Sequence, residues 1–260
     1  MHRSTSSAIG AIAVAALASS VCDALHECGH AAATWLPVGV NTLAISSIGT
    51  TTSDSNAVVA AAGPVVNLVG SLVLASVWMP GFPSRRYACW LFGTFNLFNA
   101  AAYLLYSAAL NAGDMAVVFN SIVRSPGWRP WVGVLGMAAY AAAIGLSLKA
   151  ARELVRAQII DRRTLGRYCW LSYVTGGVVL TLASVLNPVS PVLIATSGAA
   201  TGFGAMAGLA VLPALLGASS RNQESVPAPR LCFWWGWLFA GAVVTACFVG
   251  IMGPGIRLGS

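Results

Sequence analysis

Two histidines four residues apart, with a glutamate directly after the first, form the run His26-Glu27-Cys28-Gly29-His30. On a helix, positions four apart share a face, so both imidazoles would bind one metal ion while Glu27 stands beside a water held on it. A carboxylate next to a metal-activated water is the equipment of a hydrolase. A catalytic zinc takes three protein ligands and keeps a fourth position open, and an aspartate is an accepted third ligand beside two histidines. The chain has seven acidic residues. Glu153 and Asp161 lie among arginines and Glu224 in a polar stretch, where solvated ion pairs account for them. Asp114 and Asp54 remain as rivals for the third ligand. Asp23, three residues before His26 and four before Glu27, falls on their face. It would either accept a ring N–H from His26 or pair with another buried donor.

The elements that must position these groups are apolar helices. Hydrophobic residues make up 57% of the 260 and charged residues 8%, with a mean hydropathy of +0.77. That composition describes an all-α polytopic membrane protein and leaves no room for a soluble domain. Runs long enough to span a bilayer are Ala8 to Leu36, Ala57 to Met79, Tyr87 to Leu110, Trp131 to Leu148, Tyr168 to Leu186, Val192 to Leu216 and Leu231 to Met252. Pro80-Gly81-Phe82-Pro83, Asn111-Ala112-Gly113, Ser125-Pro126-Gly127, Asn187-Pro188 and the polar stretch Ala218 to Arg230 separate them. Residues 1–125 are expected to form the metal-bearing core and 126–260 accessory helices of one membrane domain. Arg3 and the small apolar run after it resemble a signal peptide, but apolar sequence continues through Leu36, which favours an uncleaved first span. The motif therefore lies inside a span, where ionisable groups are costly and face a bundle interior or a wet cavity.

The net charge of +7 reads as topology rather than nucleic-acid binding, because the charges sit in loops. With seven alternating spans, Arg124, Arg129 and Arg257 fall on one side and the other eleven of the fourteen basic residues on the opposite side. The positive-inside rule then puts the amino terminus in the cytoplasm of a bacterial-type plasma membrane. Trp35, Trp78, Trp90, Trp131, Trp170 and Trp234 lie near span ends, as an interfacial belt requires. In this topology the end of the first span, the Gly63-Pro64 half of the second and Asp114 after the third share one membrane depth. The stretch from Val38 to Gly49 has partial strand alternation and predicts a short membrane-associated hairpin after the first span. That hairpin would be either an ordinary exposed turn or an edge on which a substrate is added as a strand. Thr42, Ser46, Ser47, Thr50 to Thr52 and Asn56 would line a polar path to the metal. Gly198, Gly202, Gly204 and Gly208 predict close helix packing in the sixth span. The six cysteines have no CxxC spacing and read as small apolar residues.

Taken together, His26-Glu-Cys-Gly-His30, Ala61-Ala62-Gly63-Pro64-Val-Val-Asn67, and Phe95-Asn96-Leu97 leading through Tyr103 and Ser107 to Asn111-Ala-Gly113-Asp114 resemble the site-2 protease family of intramembrane zinc metallopeptidases. The resemblance covers roughly residues 22–116 and is narrowest to a compact branch whose third motif ends in Gly-Asp. It implies one zinc per chain held by His26, His30 and Asp114, with Glu27 as general base and Asn67 and Asn96 positioning substrate or water. The substrate implied is a membrane-embedded helix. The better-known members carry Asp-Gly where this chain has Gly113-Asp114, and no proline stands between Asn96 and Asp114. The family's site usually lies toward the cytosol, whereas the arginine count puts this one in the outer half. A membrane metal-ion transporter or a catalytically silent helix-binding relative are the alternatives. The former would carry ionisable groups on several helices, and the latter would have lost one of Glu27, His26 or His30.

Overall fold

The described residues of the computed structural model are 2–76, 82–189, 191–218, 231 and 233–258. Apolar runs give long helices: α1 (His2–Ala33), α2 (Ala57–Ser76), which continues through an internal Pro64, α3 (Pro83–Leu110), α5 (Arg129–Arg156) and α6 (Arg162–Val185). Between α3 and α5 lies α4 (Asp114–Val123), an apolar helix of 10 residues, too short to cross a bilayer. After α6, a single turn α7 (Pro191–Leu193) leads into a π-helix, π1 (Ile194–Ala205), and then α8 (Ala207–Ala218). The chain closes with α9 (Trp235–Cys247), a short π segment π2 (Phe248–Met252) and strand β3 (Ile256–Arg257). Seven of these helical segments are long and apolar enough to cross a membrane, and each overlaps one of the seven runs read from the sequence. The protein is an all-α, multi-pass membrane protein with little sheet.

The first span is central: 56% of its most apolar window is buried against 17% for the last span. It packs on α2, α3, α6 and α9. The main core gathers Val14, Ala18, Tyr87, Phe95, Leu154 and Leu165. Outward-facing apolar side chains such as Val65, Leu72, Val134 and Phe239 are more than half exposed, the surface that lipid would cover.

The hairpin expected after the first span is present as β1 (Thr42–Ser46) and β2 (Gly49–Thr52). β3 adds antiparallel to the other edge of β1, giving the order β2-β1-β3. Ser47 N–H also donates to the Met252 carbonyl at 2.8 Å, and Leu258 N–H to the Leu43 carbonyl at 2.8 Å. Residues from the last span onward thus hold the hairpin that follows the first.

Two expectations need adjustment. Trp35, Trp131, Trp170 and Trp234 are largely exposed, but Trp90 is buried and donates its indole N–H to the Ser147 carbonyl at 3.1 Å. Its polar edge is satisfied by α5, so it is a core residue rather than a belt residue. In the sixth span, Gly198, Gly202 and Gly208 meet Ser184, Gly177 and Phe98 closely, whereas a Cβ on Gly204 would meet nothing within 4 Å. Gly204 borders open space. The five described cysteines are free. Trp78, Arg221, Glu224, Arg230 and Cys232, with the break at 77–81 and the stretch 219–230, lie outside the described residues.

Candidate metal centre

α1 carries His26 and His30 on the face turned to α2, and all three of His26, Glu27 and His30 are buried. The antiparallel α2 answers them at matching four-residue intervals with the Val59 carbonyl, Gly63 and Asn67. His30 Nδ1 lies 2.7 Å from the Val59 carbonyl oxygen, which only accepts, so Nδ1 carries the proton. Asn67 donates its amide to the Cys22 carbonyl at 3.1 Å and to Asn96 Oδ1 at 2.9 Å, which fixes its orientation. Its Oδ1 then accepts from His26 Nδ1 at 2.7 Å. Both imidazoles are thereby set as Nδ1–H tautomers, and both Nε2 lone pairs point inward, 3.1 Å apart. Gly63 is what lets α2 approach: a Cβ there would lie 2.7 Å from His26 Nε2 and closer still to His30 Nε2.

The third donor arrives from the end of α3. That helix stops at Asn111, in the left-handed conformation at φ 51°, with its N–H returned to the Ser107 carbonyl. Gly113 follows at φ 79°, a backbone that L side chains rarely adopt, and its missing Cβ clears the Tyr106 ring. Arg129, opening α5, donates to the Ala108 and Ala109 carbonyls at 2.8 and 2.6 Å and so fastens the end of α3. The reversal puts Asp114 Oδ2 3.0 Å from His26 Nε2 and 3.3 Å from His30 Nε2. The rival Asp54 is exposed, its Oδ1 taken by the Ser55 N–H.

Three donor atoms thus form a triangle with edges of 3.0, 3.1 and 3.3 Å. Ligands at 2.0–2.1 Å in a tetrahedral zinc site lie about 3.3 Å apart, so the triangle fits that ion. The Glu27 donor atom stands within 4.8 Å of both histidine nitrogens, and this His-Glu-His group can hold a metal ion. Glu27 Oε2 accepts the Thr50 hydroxyl at 2.8 Å, a contact that brings β2 against α1. Tyr103 stacks on the His26 ring with centroids 4.5 Å apart and planes 15° apart.

A cavity of about 290 Å³ opens onto this cluster, walled by Glu27, His30, Thr50, Tyr103, Asp114 and Asp23 among others. Among the described residues its lining contains three carboxylates and no lysine or arginine. Buried negative charge without a cationic partner is costly, and a divalent cation at the donor triangle would offset it. Among the described residues Asp23 Oδ2 and Ser47 Oγ, of two residues in the same wall, have no hydrogen-bond partner, which suits a cavity that holds water within an apolar bundle.

The structure brings together His26, Glu27, His30 and Asp114. Asn67 and Asn96 are also close, but neither lines the cavity. Asn67 is fully buried behind His26, and Asn96 stands behind Asn67, donating to the Phe92 carbonyl at 2.8 Å. Asn67 holds His26 and Asn96 holds Asn67. Asp23 takes no ring N–H from His26, because the Asn67 oxygen occupies that role. Ser47, Thr50, Thr52 and Asn56 of the expected polar path do line the cavity, but the Thr50 hydrogen bond to Glu27 and the Val59–Gly63–Asn67 ladder behind the histidines were not foreseen. Gly63 and Asn67 spaced as His30 and His26 are, in reverse order on the next span, is the signal that could have found the ladder. No family model, curated protein or solved structure matches the chain.

Proposed function

We propose that the protein is a zinc-dependent intramembrane endopeptidase of the site-2 protease type. The observation that carries this reading is the convergence of two lone-pair nitrogens and one carboxylate oxygen beside Glu27, with both histidine tautomers set by α2. Three acceptors aimed at one point repel one another unless a cation joins them, and a fourth position remains open toward the cavity.

Zinc, when bound, acidifies water and polarises a carbonyl. His26, His30 and Asp114 hold it, while Asn67 and the Val59 carbonyl keep the two rings from turning. Glu27 takes one proton from the attacking water and delivers it to the amide nitrogen as the C–N bond breaks, so a carboxylic acid product and an amine product account for the water consumed. Thr50 fixes the carboxylate during both transfers. Tyr103, flat against His26, keeps one side of the ring dry. The β2 edge away from β1 is unpaired among the described residues, and an unwound stretch of a substrate helix adds there with its amides exposed for attack. A transporter would need further sites along its path. Among the described residues the His26-Glu27-His30 group is the metal-capable cluster.

The test is zinc content in purified protein together with cleavage of a transmembrane-helix reporter. About one zinc per chain, lost in His26→Ala and Asp114→Ala but kept without cleavage in Glu27→Gln, is the expected result. Wild-type protein devoid of zinc, or undiminished cleavage by Glu27→Gln, would overturn the reading. The basic-residue asymmetry further gives a cytoplasmic amino terminus and a site opening outward. An Asp54→Cys protein in intact cells should then react with a membrane-impermeant maleimide, and protection until the cells are lysed would reverse that orientation.

A further inference from the structure

A second cavity, of about 360 Å³, lies between α3, α5 and π1. Ala102, Leu105 and Ala109 wall it from α3, Tyr140 from α5, and Ala200 and Gly204 from π1. It shares Tyr103, Tyr106 and Thr201 with the cavity over the metal cluster, so the two adjoin. Tyr103 stands between them, since its ring stacks on His26 and walls both spaces. The wall is made of small and apolar residues, and where π1 borders it Gly204 has no neighbour within 4 Å of the Cβ position. Asn99 is also in the wall, with its side-chain N–H turned to Asn67 Oδ1 at 3.3 Å.

We infer that this space is the specificity pocket of the proposed protease and receives a bulky side chain flanking the scissile bond, with an aromatic ring the best match. The inference rests on the proteolytic reading above. A size in the range of ligand pockets and an apolar wall select an aromatic ring. The shared wall at Tyr103 puts the space beside the metal cavity, within reach of a side chain from the same peptide whose carbonyl sits over the cluster, and π1 makes room because its small residues replace what would otherwise be a filled helix interface.

The test compares two reporter helices that differ only by tyrosine or alanine at each position beside the cleaved bond, with wild type and Gly204→Leu. The leucine enters open space at an exposed position of the cavity wall and at a backbone without left-handed φ, so it adds bulk at the pocket's border without straining the fold. Wild type should favour tyrosine over alanine by about ten-fold or more in kcat/KM, and Gly204→Leu should bring that ratio to near one while keeping one zinc per chain. No preference in wild type, or the same ratio in both proteins, would overturn the pocket. A second measurement does not depend on cleavage: Glu27→Gln protein is irradiated with a helix peptide bearing benzoylphenylalanine at the same positions. Label mapped to 102–110 or 200–205, and lost in the Gly204→Leu background, supports the pocket even if zinc and cleavage are absent. Label elsewhere, with a copurified lipid chain displaced by Gly204→Leu, assigns the cavity to lipid and overturns it.

Discussion

Asn67 stands directly behind His26, its Oδ1 2.7 Å from Nδ1, while Asp114 lies 3.0 Å from Nε2 on the opposite edge of the ring. One imidazole is thus gripped from both sides by residues that belong to different helices, α2 and α4. Removing the rear grip by Asn67→Leu leaves Nδ1–H unpaired and the ring free to turn. Zinc affinity should fall about 10–100-fold, measured by competition with a chelator of known affinity. Unchanged affinity would mean that α1 alone sets the ring.

Gly63 makes a sharper demand. A methyl group at this position enters the space between the two Nε2 atoms, so Gly63→Ala should abolish zinc binding while the helices still assemble. Gly93→Ala is the matched control, since its Cβ would meet Leu74 at an ordinary 3.8 Å. Equal zinc content in the two variants would refute the assignment of Gly63 as the aperture of the site.

Thr50 acts on Glu27 rather than on the metal ligands. Thr50→Val keeps the shape and loses the donor. Its kcat should drop about ten-fold, the worth of one hydrogen bond to a charged group, with zinc retained and with Thr50→Ser restoring most of the rate. Loss of zinc in the valine variant would place Thr50 in a different role.

The hairpin that brings Thr50 to Glu27 is itself held by β3. Leu258→Pro deletes the N–H that Leu43 accepts at 2.8 Å. Backbone amides of 42–46 should then exchange faster with solvent, and kcat should fall several-fold without loss of zinc. Unaltered exchange would show that the β1–β2 pairing is sufficient alone.

The cluster of His26, Glu27, His30 and Asp114 was legible in the sequence because its signals are local or strongly constrained. HExxH needs one helix face, and Asp114 was one of few carboxylates at the right depth. The seven spans follow from hydropathy, and the hairpin from alternation bounded by glycine. What escaped depends on contacts between distant segments. Asn67 reads as a polar residue in a span whether it meets substrate or a histidine, and only the pairing of α1 with α2 decides. α4 is too short to register as a span, and its apolar residues look like loop sequence beside Arg124. The π winding of 194–205 leaves no periodic trace in a run of small residues. A strand of two residues such as β3 carries no pattern at all.

That last strand introduces an order in time. Every donor for the metal, and Glu27 itself, is encoded within the first half of the sequence, but the strand that steadies the hairpin beside Glu27 comes from beyond the last span. During synthesis at the membrane the candidate donor set is therefore complete well before its support. On the proposed reading, a growing chain would be able to take up metal before the strand that steadies the hairpin beside Glu27 has been made, and competence to cut would come only with the final crossing.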